Sequence, residues 1–280
     1  MQSILADLLD PIIFRGLKSL TLDDSQQQSL LRLAQEGISV YSPHTAVDSV
    51  PEGMADWLCD VVTGAIFPLS ENSSLSAIER SPAHKSNSYS QPAYPRPPQR
   101  VLASAAFIPH VRKTIHPSPS PVPEGFESAG AGRLVTFANP QLLTSIIDRI
   151  ANCVGNPAGI AVAIPQSTSA DALKIRTIGI CPGSGSSVLL SRDRNDLADL
   201  IFTGELSHHD ALAVIEHGSA VVALNHSNTE RGYLHAGMRP KLTDLLTREW
   251  DQVEEGAGKD VIVDVSERDR DPYGIMIRLA

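Results

Sequence analysis

LADLIFTGELSHHDALAVIEHGSAVVALNHSNTERG, residues 197–232, is the stretch that decides the fold. Leu197–Thr203 is a short apolar run of the kind that continues into a buried strand. His209–His217 has the length of a short helix, and Ala220–Asn225 is a second apolar run. A polar turn rich in side-chain donors follows it. Short apolar runs alternating with helices point to βαβ units and an α/β fold.

The same alternation extends outward. Upstream, Arg133–Phe137, Ile160–Ile164 and Lys174–Cys181 read as strands, Pro140–Cys153 as a helix and Pro182–Ser186 as a glycine-rich turn. Downstream, Tyr233–Glu254 is a long helical stretch with Leu242, Leu245 and Leu246 on one side. Pro240 should kink it or mark the start of its regular part. Val261–Val265 reads as a late strand. Residues 126–280 thus form a C-terminal α/β half. Residues 71–125 differ in kind, because about half of the 20 prolines fall between Pro82 and Pro123 among many serines. Such a stretch builds no regular ladder, so it is expected to be a flexible surface loop, with at most a weak strand or helix near Val101–Ile108. His84, His110 and His116 would be solvated there, while His217 and His235 are structural. Residues 1–70 read as a partial N-terminal α/β half. They hold a helix over residues 24–36 closed by Gly37, a short strand over Ile38–Ser42 and a helix over Gly53–Gly64.

Composition narrows the function. The 280 residues suit one large domain or two smaller ones, and a net charge of −9 leaves no basic surplus for general nucleic-acid binding. No apolar run is long enough to span a bilayer. Three scattered cysteines, Cys59, Cys153 and Cys181, fit a reducing compartment and are not spaced as a zinc clip. The N-terminus has Asp7 and Asp10 and lacks early basic residues, so it reads poorly as a secretory or mitochondrial leader. The expected location is cytoplasmic, with nuclear or mitochondrial residence as alternatives.

Four constellations carry chemistry. His44 and Asp48 stand four apart in SPHTAVD, after an apolar segment. His226 and Glu230 stand four apart in NHSNTERG, again after an apolar run. A histidine and a carboxylate at that spacing share one face of a helical turn and can ligate zinc, iron or manganese. Two such units together offer the imidazoles and bridging carboxylates that a dinuclear site needs. The plain alternatives are a loop capped by Asp48 and a polar loop closed by a Glu230–Arg231 pair. In TGELSHHD, Glu205 or His208 can serve as general acid or base, while Ser207 has the spacing to cap a helix at Asp210 and His209 is more ordinarily structural. The turn CPGSGSS, residues 181–187, lacks the lysine of a P-loop and reads as a tight turn without a ligand, with Cys181 buried and inert.

Taken in order, YSPHTAVD, GAGRLVTF, ICPGSGSSVL, FTGELSHHDALAVIEHGSAVV, LNHSNTERGYL and RDRDPYG resemble the Nif-type (NGG-interacting factor) family, also called the type-2 GTP cyclohydrolase I family. IFRGLKSLTL, residues 13–22, is similar as well. The resemblance implies two related α/β halves around a central dinuclear metal cleft, with two divalent ions, and a toroidal homo-hexamer. It implies Asp48 as the bridging carboxylate and His226 and Glu230 as ligands, with His44 ranking below them. Glu205, His208 and His209 should face the same cleft. One departure stands out: where members carry a histidine pair or a Tyr-His-Pro variant, this chain reads Leu8-Leu9-Asp10-Pro11-Ile12, with Asp10 where an imidazole belongs. Members also have several dozen residues upstream, so a truncated or degenerate N-terminal half is expected. The implied function is a metal-dependent hydrolase of a nucleotide or other phosphate-containing or cyclic small molecule. The competing expectations are a protein-interaction or transcription co-regulator role and a nonfunctional fragment.

Overall fold

The computed structural model describes residues 25–69, 90–190, 196–253 and 261–278. The chain divides into two compact units, Met1–Thr45 and Ala46–Ala280. Residues 9–22, which carry the Asp10 departure and the IFRGLKSLTL similarity, lie outside the described residues, as does His84.

In the first unit, helix α1 spans Ser25–Gln35. Gly37, at φ 69°, closes it, and the Ile38 N–H turns back to bond the Leu33 carbonyl at 2.9 Å. That bond corrects the expected strand over Ile38–Ser42: the donor that would begin a ladder is spent on the helix end, and the segment is irregular.

The second unit opens with α2 (Ala46–Ser49) and α3 (Met54–Thr63). Met54, Trp57, Leu58, Val61 and Val62 recur at three- and four-residue spacing, so α3 presents one continuous apolar stripe, and all five are buried. Gly64, at φ 71°, ends it. Strands β1 (Ile66–Pro68) and β2 (Val101–Ala103) pair as a small antiparallel ribbon. The main sheet takes β3 (His110–Pro117), β4 (Gly130–Leu142), then, after helix α4 (Leu143–Cys153), β5 (Ala161–Ala163) and β6 (Lys174–Ser184). The short helix α5 (Ser186–Leu189), β7 (Leu200–Glu205), helix α6 (His208–Glu216) and β8 (Ala220–Ala223) complete it. Its strand order is β3-β4-β6-β7-β8-β5. The central β6, β7 and β8 are mutually parallel, and antiparallel strands flank them on both sides.

The α/β class is therefore observed, and the reason lies in the alternation within each central strand. Leu200 and Phe202 of β7, Ala220 and Val222 of β8, and Ile178 and Ile180 of β6 join the core under α3 and α4. Their neighbours Ile201, Val221 and Cys181 join a second core with Leu189 and Val214 on the opposite face. A strand buried on both faces reads as an unbroken apolar run, which is why 197–232 was legible.

Two expectations need correction. His110–Pro117 reads as loop in the sequence, yet it is an edge strand paired with β4, with His110 half-buried and His116 exposed as expected. Its bracketing prolines, Pro109 and Pro117, are tolerated because they sit at the strand's ends on the sheet edge. The His110 and His116 rings contact the Ile108 and Val188 carbonyls at 2.7 and 2.9 Å. Val261–Val265 alternates in burial as a strand would, but it has no ladder partner among the described residues and is irregular. The stretch from Tyr233 is helical as expected, and its regular part begins beside Pro240. A three-residue turn α7 (Arg231–Tyr233) passes into a π-helical turn, Leu234–Met238, before α8 (Arg239–Val253). Pro240 has no N–H to give to the preceding turn, and the wider turn lies immediately ahead of it. No helix among the described residues is long and apolar enough to cross a membrane.

Candidate active site

The C-terminal ends of β6, β7 and β8 meet at one edge of the sheet, where the loops of an open α/β fold present their chemistry. Each end contributes something different. At the end of β6, Gly183 adopts φ 62°, a left-handed conformation that favours glycine, and its N–H donates to Thr229 Oγ1 at 2.9 Å. Strand β7 ends on Glu205. Past β8, the Leu224 N–H still bonds the Thr203 carbonyl, and Asn225 at φ 68° turns the chain sharply. His226 stands directly on that turn.

Local bonds set the turn that carries the site. Thr229 Oγ1 donates to the His226 carbonyl at 2.7 Å, and Asn228 Nδ2 donates to the Leu224 carbonyl at 2.7 Å. Thr203 Oγ1 donates to the Gly183 carbonyl at 3.0 Å, tying β7 to the β6 turn. The Ser227 N–H donates to Asp271 Oδ2 at 3.0 Å, and Arg231 Nε pairs with Asp269 Oδ2 at 3.0 Å.

This framework places His226 between two carboxylates. Its Nδ1 lies 2.7 Å from Glu205 Oε1 and its Nε2 lies 3.5 Å from Glu230 Oε1. The bond to Glu205 raises the imidazole's pKa, with burial acting against it and Glu230 and Asp271 adding to the rise. Burial pushes the Glu230 carboxyl up, and the neighbouring His226 pulls it back. Imidazole and carboxylate are the ligands that zinc, iron and manganese accept. In the neutral ring with its proton on Nδ1, Glu205 would accept that proton and leave Nε2 free as a ligand atom, as a carboxylate does when it orients a metal-binding histidine from behind. A Cβ on Gly183 would stand 2.8 Å from Nε2, so the missing side chain keeps that face open. The donor chemistry thus fits a divalent ion at Nε2 and Glu230. Among the described residues no group of three or more histidine, cysteine, aspartate or glutamate side chains is placed to hold a metal ion.

The other expected residues distribute as follows. Asp48 is half-buried on α2, and its charge acts on the Cys181 thiol of β6. The Cys181 thiol is pushed up to about 12, first by burial and then by Asp48, so it is inert as a nucleophile. His44 belongs to the first unit, where it adopts φ 44°. His208 and His209 are exposed at the start of α6, their rings edge to face with centroids 5.4 Å apart, and neither bonds Glu205, His226 or Glu230 among the described residues. Ser207 caps α6 as its spacing foretold, accepting the Asp210 N–H at 3.2 Å. A cleft of about 530 Å³ lies elsewhere along α3, lined by Asp56, Trp57, Asp60, Arg112, Tyr233 and Lys241 among others. None of the residues around His226 lines it. Its Arg112 and the buried Arg133 are already paired with Asp56 and Asp60, so we place the chemistry at the sheet edge. Sequence reading missed Gly183, Thr229 and Asp271, whose contacts to the turn run across strands or from a distant segment.

Comparison with known proteins bears on the family and the fold of the chain. Residues 10–255 match the model of the Duf34/NIF3 (NGG1p interacting factor 3) family. The chain is 35% identical over 272 residues to the NIF3 homolog of Schizosaccharomyces pombe, covering 95% of this chain and 74% of that protein. It is 29% identical to the NGG1-interacting factor 3 of Saccharomyces cerevisiae, covering 84% of this chain and 66% of that protein. Among solved structures, a Bacillus cereus protein related to NIF3 superposes with a TM-score of 0.56 at 14% identity, over 95% of this chain and 81% of that one, which bears on the fold alone.

Proposed function

The chain belongs to the Duf34/NIF3 family, and from that membership we propose that it is a divalent-metal-dependent hydrolase whose site is built on His226, Glu230 and Asp48. The observation that carries the reading is the Glu205–His226–Glu230 line, with contacts of 2.7 and 3.5 Å, at the C-terminal edge of three parallel strands. Glu205 holds Nδ1–H and so fixes the tautomer and the ring plane. His226 Nε2 and the carboxylates of Glu230 and Asp48 would be the groups that hold the ions. When bound, such ions supply Lewis-acid polarisation of a substrate oxygen and lower the pKa of water. His208, exposed at the start of α6, is the candidate for proton transfer. The substrate is a nucleotide or another phosphate-containing or cyclic small molecule, the class that the family resemblance implies, and the working form is a homo-oligomer.

Elemental analysis of the purified full chain tests this directly. About two equivalents of zinc, iron or manganese are expected, falling in Asp48→Ala and in Glu230→Ala. Protein without metal, or metal content unmoved by both substitutions, removes the reading.

A second reading, protein binding, has its own observation. Leu242, Leu245, Leu246 and Trp250 of α8 are 38–51% exposed along one side of the helix, and a budding-yeast relative is named for its interaction with NGG1. A partner interaction that survives Glu230→Ala and is lost in Leu245→Glu supports that role. Loss in Glu230→Ala alone speaks against it.

A further inference from the structure

Asp271 is 1% exposed, and among the described residues no lysine, arginine or histidine forms an ion pair with it. A buried carboxylate is costly unless donors compensate it. Here the compensation comes from the backbone: Oδ2 accepts the Ser227 N–H at 3.0 Å and Oδ1 accepts the Tyr273 N–H at 2.9 Å. Two residues earlier, Asp269 holds the Arg231 guanidinium, which is itself buried. A single short segment therefore grips the turn on either side of Glu230, at Ser227 and at Arg231. The segment is in turn fastened to the proline-rich stretch around Tyr94. The Arg270 guanidinium lies 4.4 Å from the centroid of the Tyr94 ring, and Ala93 and Ile275 exchange both backbone hydrogen bonds at 2.8 and 2.9 Å.

We propose that Asp271 is a positioning residue, whose carboxylate clamps the Ser227 N–H and so fixes how far apart His226 and Glu230 stand. Chemistry explains why this position holds an aspartate. Two N–H groups need two acceptor oxygens, and an asparagine offers one, with an NH2 facing the other donor. The clamp stands on its own geometry. Its consequence for metal affinity rests on the function proposed above.

The test compares the full chain with Asp271→Asn and Asp271→Ala. Ile146→Val serves as a control, since it loosens the core under α4 without removing any hydrogen bond of the turn. Hydrogen exchange without metal reads the backbone N–H groups of residues 225–231. These are expected to exchange roughly tenfold faster in both Asp271 variants, as loss of a hydrogen bond to a charged acceptor implies, with Asp271→Asn the milder, while β6 and β7 stay protected. Calorimetric titration with zinc chloride should show affinity about 10–100-fold weaker in Asp271→Ala, as for other groups that orient ligands, and unchanged in Ile146→Val. Unchanged exchange at the turn in a folded variant overturns the clamp. Faster exchange with full zinc affinity overturns the positioning role, as does an equal loss of affinity in Ile146→Val. A wild-type chain that binds no zinc sinks the metal reading instead, and the exchange measurement still decides the clamp. Should Asp271→Ala fail to fold, Asp271→Asn carries both measurements.

Discussion

At Gly183 the absence of a side chain is what lets His226 stand where it does. The residue is at φ 62°, which is strained for any L side chain, and an added methyl would meet Nε2 at 2.8 Å and Cε1 at 3.1 Å. Gly183→Ala is therefore expected to displace the imidazole from Glu230 and to weaken zinc binding at least as much as removal of an orienting partner, about 10–100-fold. A zinc titration checks it, and an affinity equal to wild type would mean that Nε2 does not face the ion. Glu205 makes a separate case. Sequence reading gave it a proton-transfer role, whereas its 2.7 Å contact to Nδ1 makes it the group that orients His226. Glu205→Gln removes the largest cause of the raised His226 pKa, so the imidazole should titrate at lower pH in the metal-free chain, read by NMR of the ring protons. An unshifted titration would dissociate the two side chains.

Helix α6 offers a prediction of a different kind. Ser207 accepts the Asp210 N–H, and its hydroxyl and that of Ser186 both donate to Asp210 Oδ2 at 2.8 and 2.9 Å. Ser207→Ala leaves an N-terminal donor of the helix unmet, which costs about 1 kcal/mol. In a chain of this size that lowers the melting temperature by about 2–4 °C. Zinc affinity should hold, because His226 and Glu230 lie outside α6. Elements of this sort were legible before any coordinates: the cap spacing, the stripe of α3, and the strands of 197–232 are local patterns. Other features were hidden for physical reasons. Strand β3 is masked by its terminal prolines and by charged residues that an edge strand can carry. Val261–Val265 has a strand's alternation, but a strand exists only with a partner, and alternation says nothing about one. At the site, His226 and Glu230 share one turn and announce themselves by spacing. The Glu205 contact spans 21 residues and the Asp271 contact spans 44, and no period in the sequence encodes either.

Across the whole molecule, the site ties together parts that are distant in the chain: the ends of β6, β7 and β8 and the segment around Asp271. An ion that binds only this folded arrangement must stabilise all of it. At a free zinc concentration about 100 times the dissociation constant the gain is about 2.7 kcal/mol. That corresponds to a rise in melting temperature of about 5–10 °C for a chain of this length. The pH dependence gives the sharper test, because two effects have opposite signs. Without metal, the His226–Glu205 pair has a raised imidazole pKa. Its contribution is fully present below the unfolded pKa and is lost as pH rises through the folded value. Zinc held by His226 and Glu230 would need the neutral imidazole and the carboxylate, and both groups are shifted toward their protonated forms, so protons would compete with the ion. The zinc-induced rise in melting temperature should therefore grow with pH over the same range in which the metal-free pair weakens. Differential scanning calorimetry with zinc and with a chelator, near neutral pH and about two units below it, measures both. A rise that is as large at the lower pH, or that persists in Glu230→Ala, would take His226 and Glu230 off the list of ligands and return the turn to the ordinary polar loop that its sequence also allows.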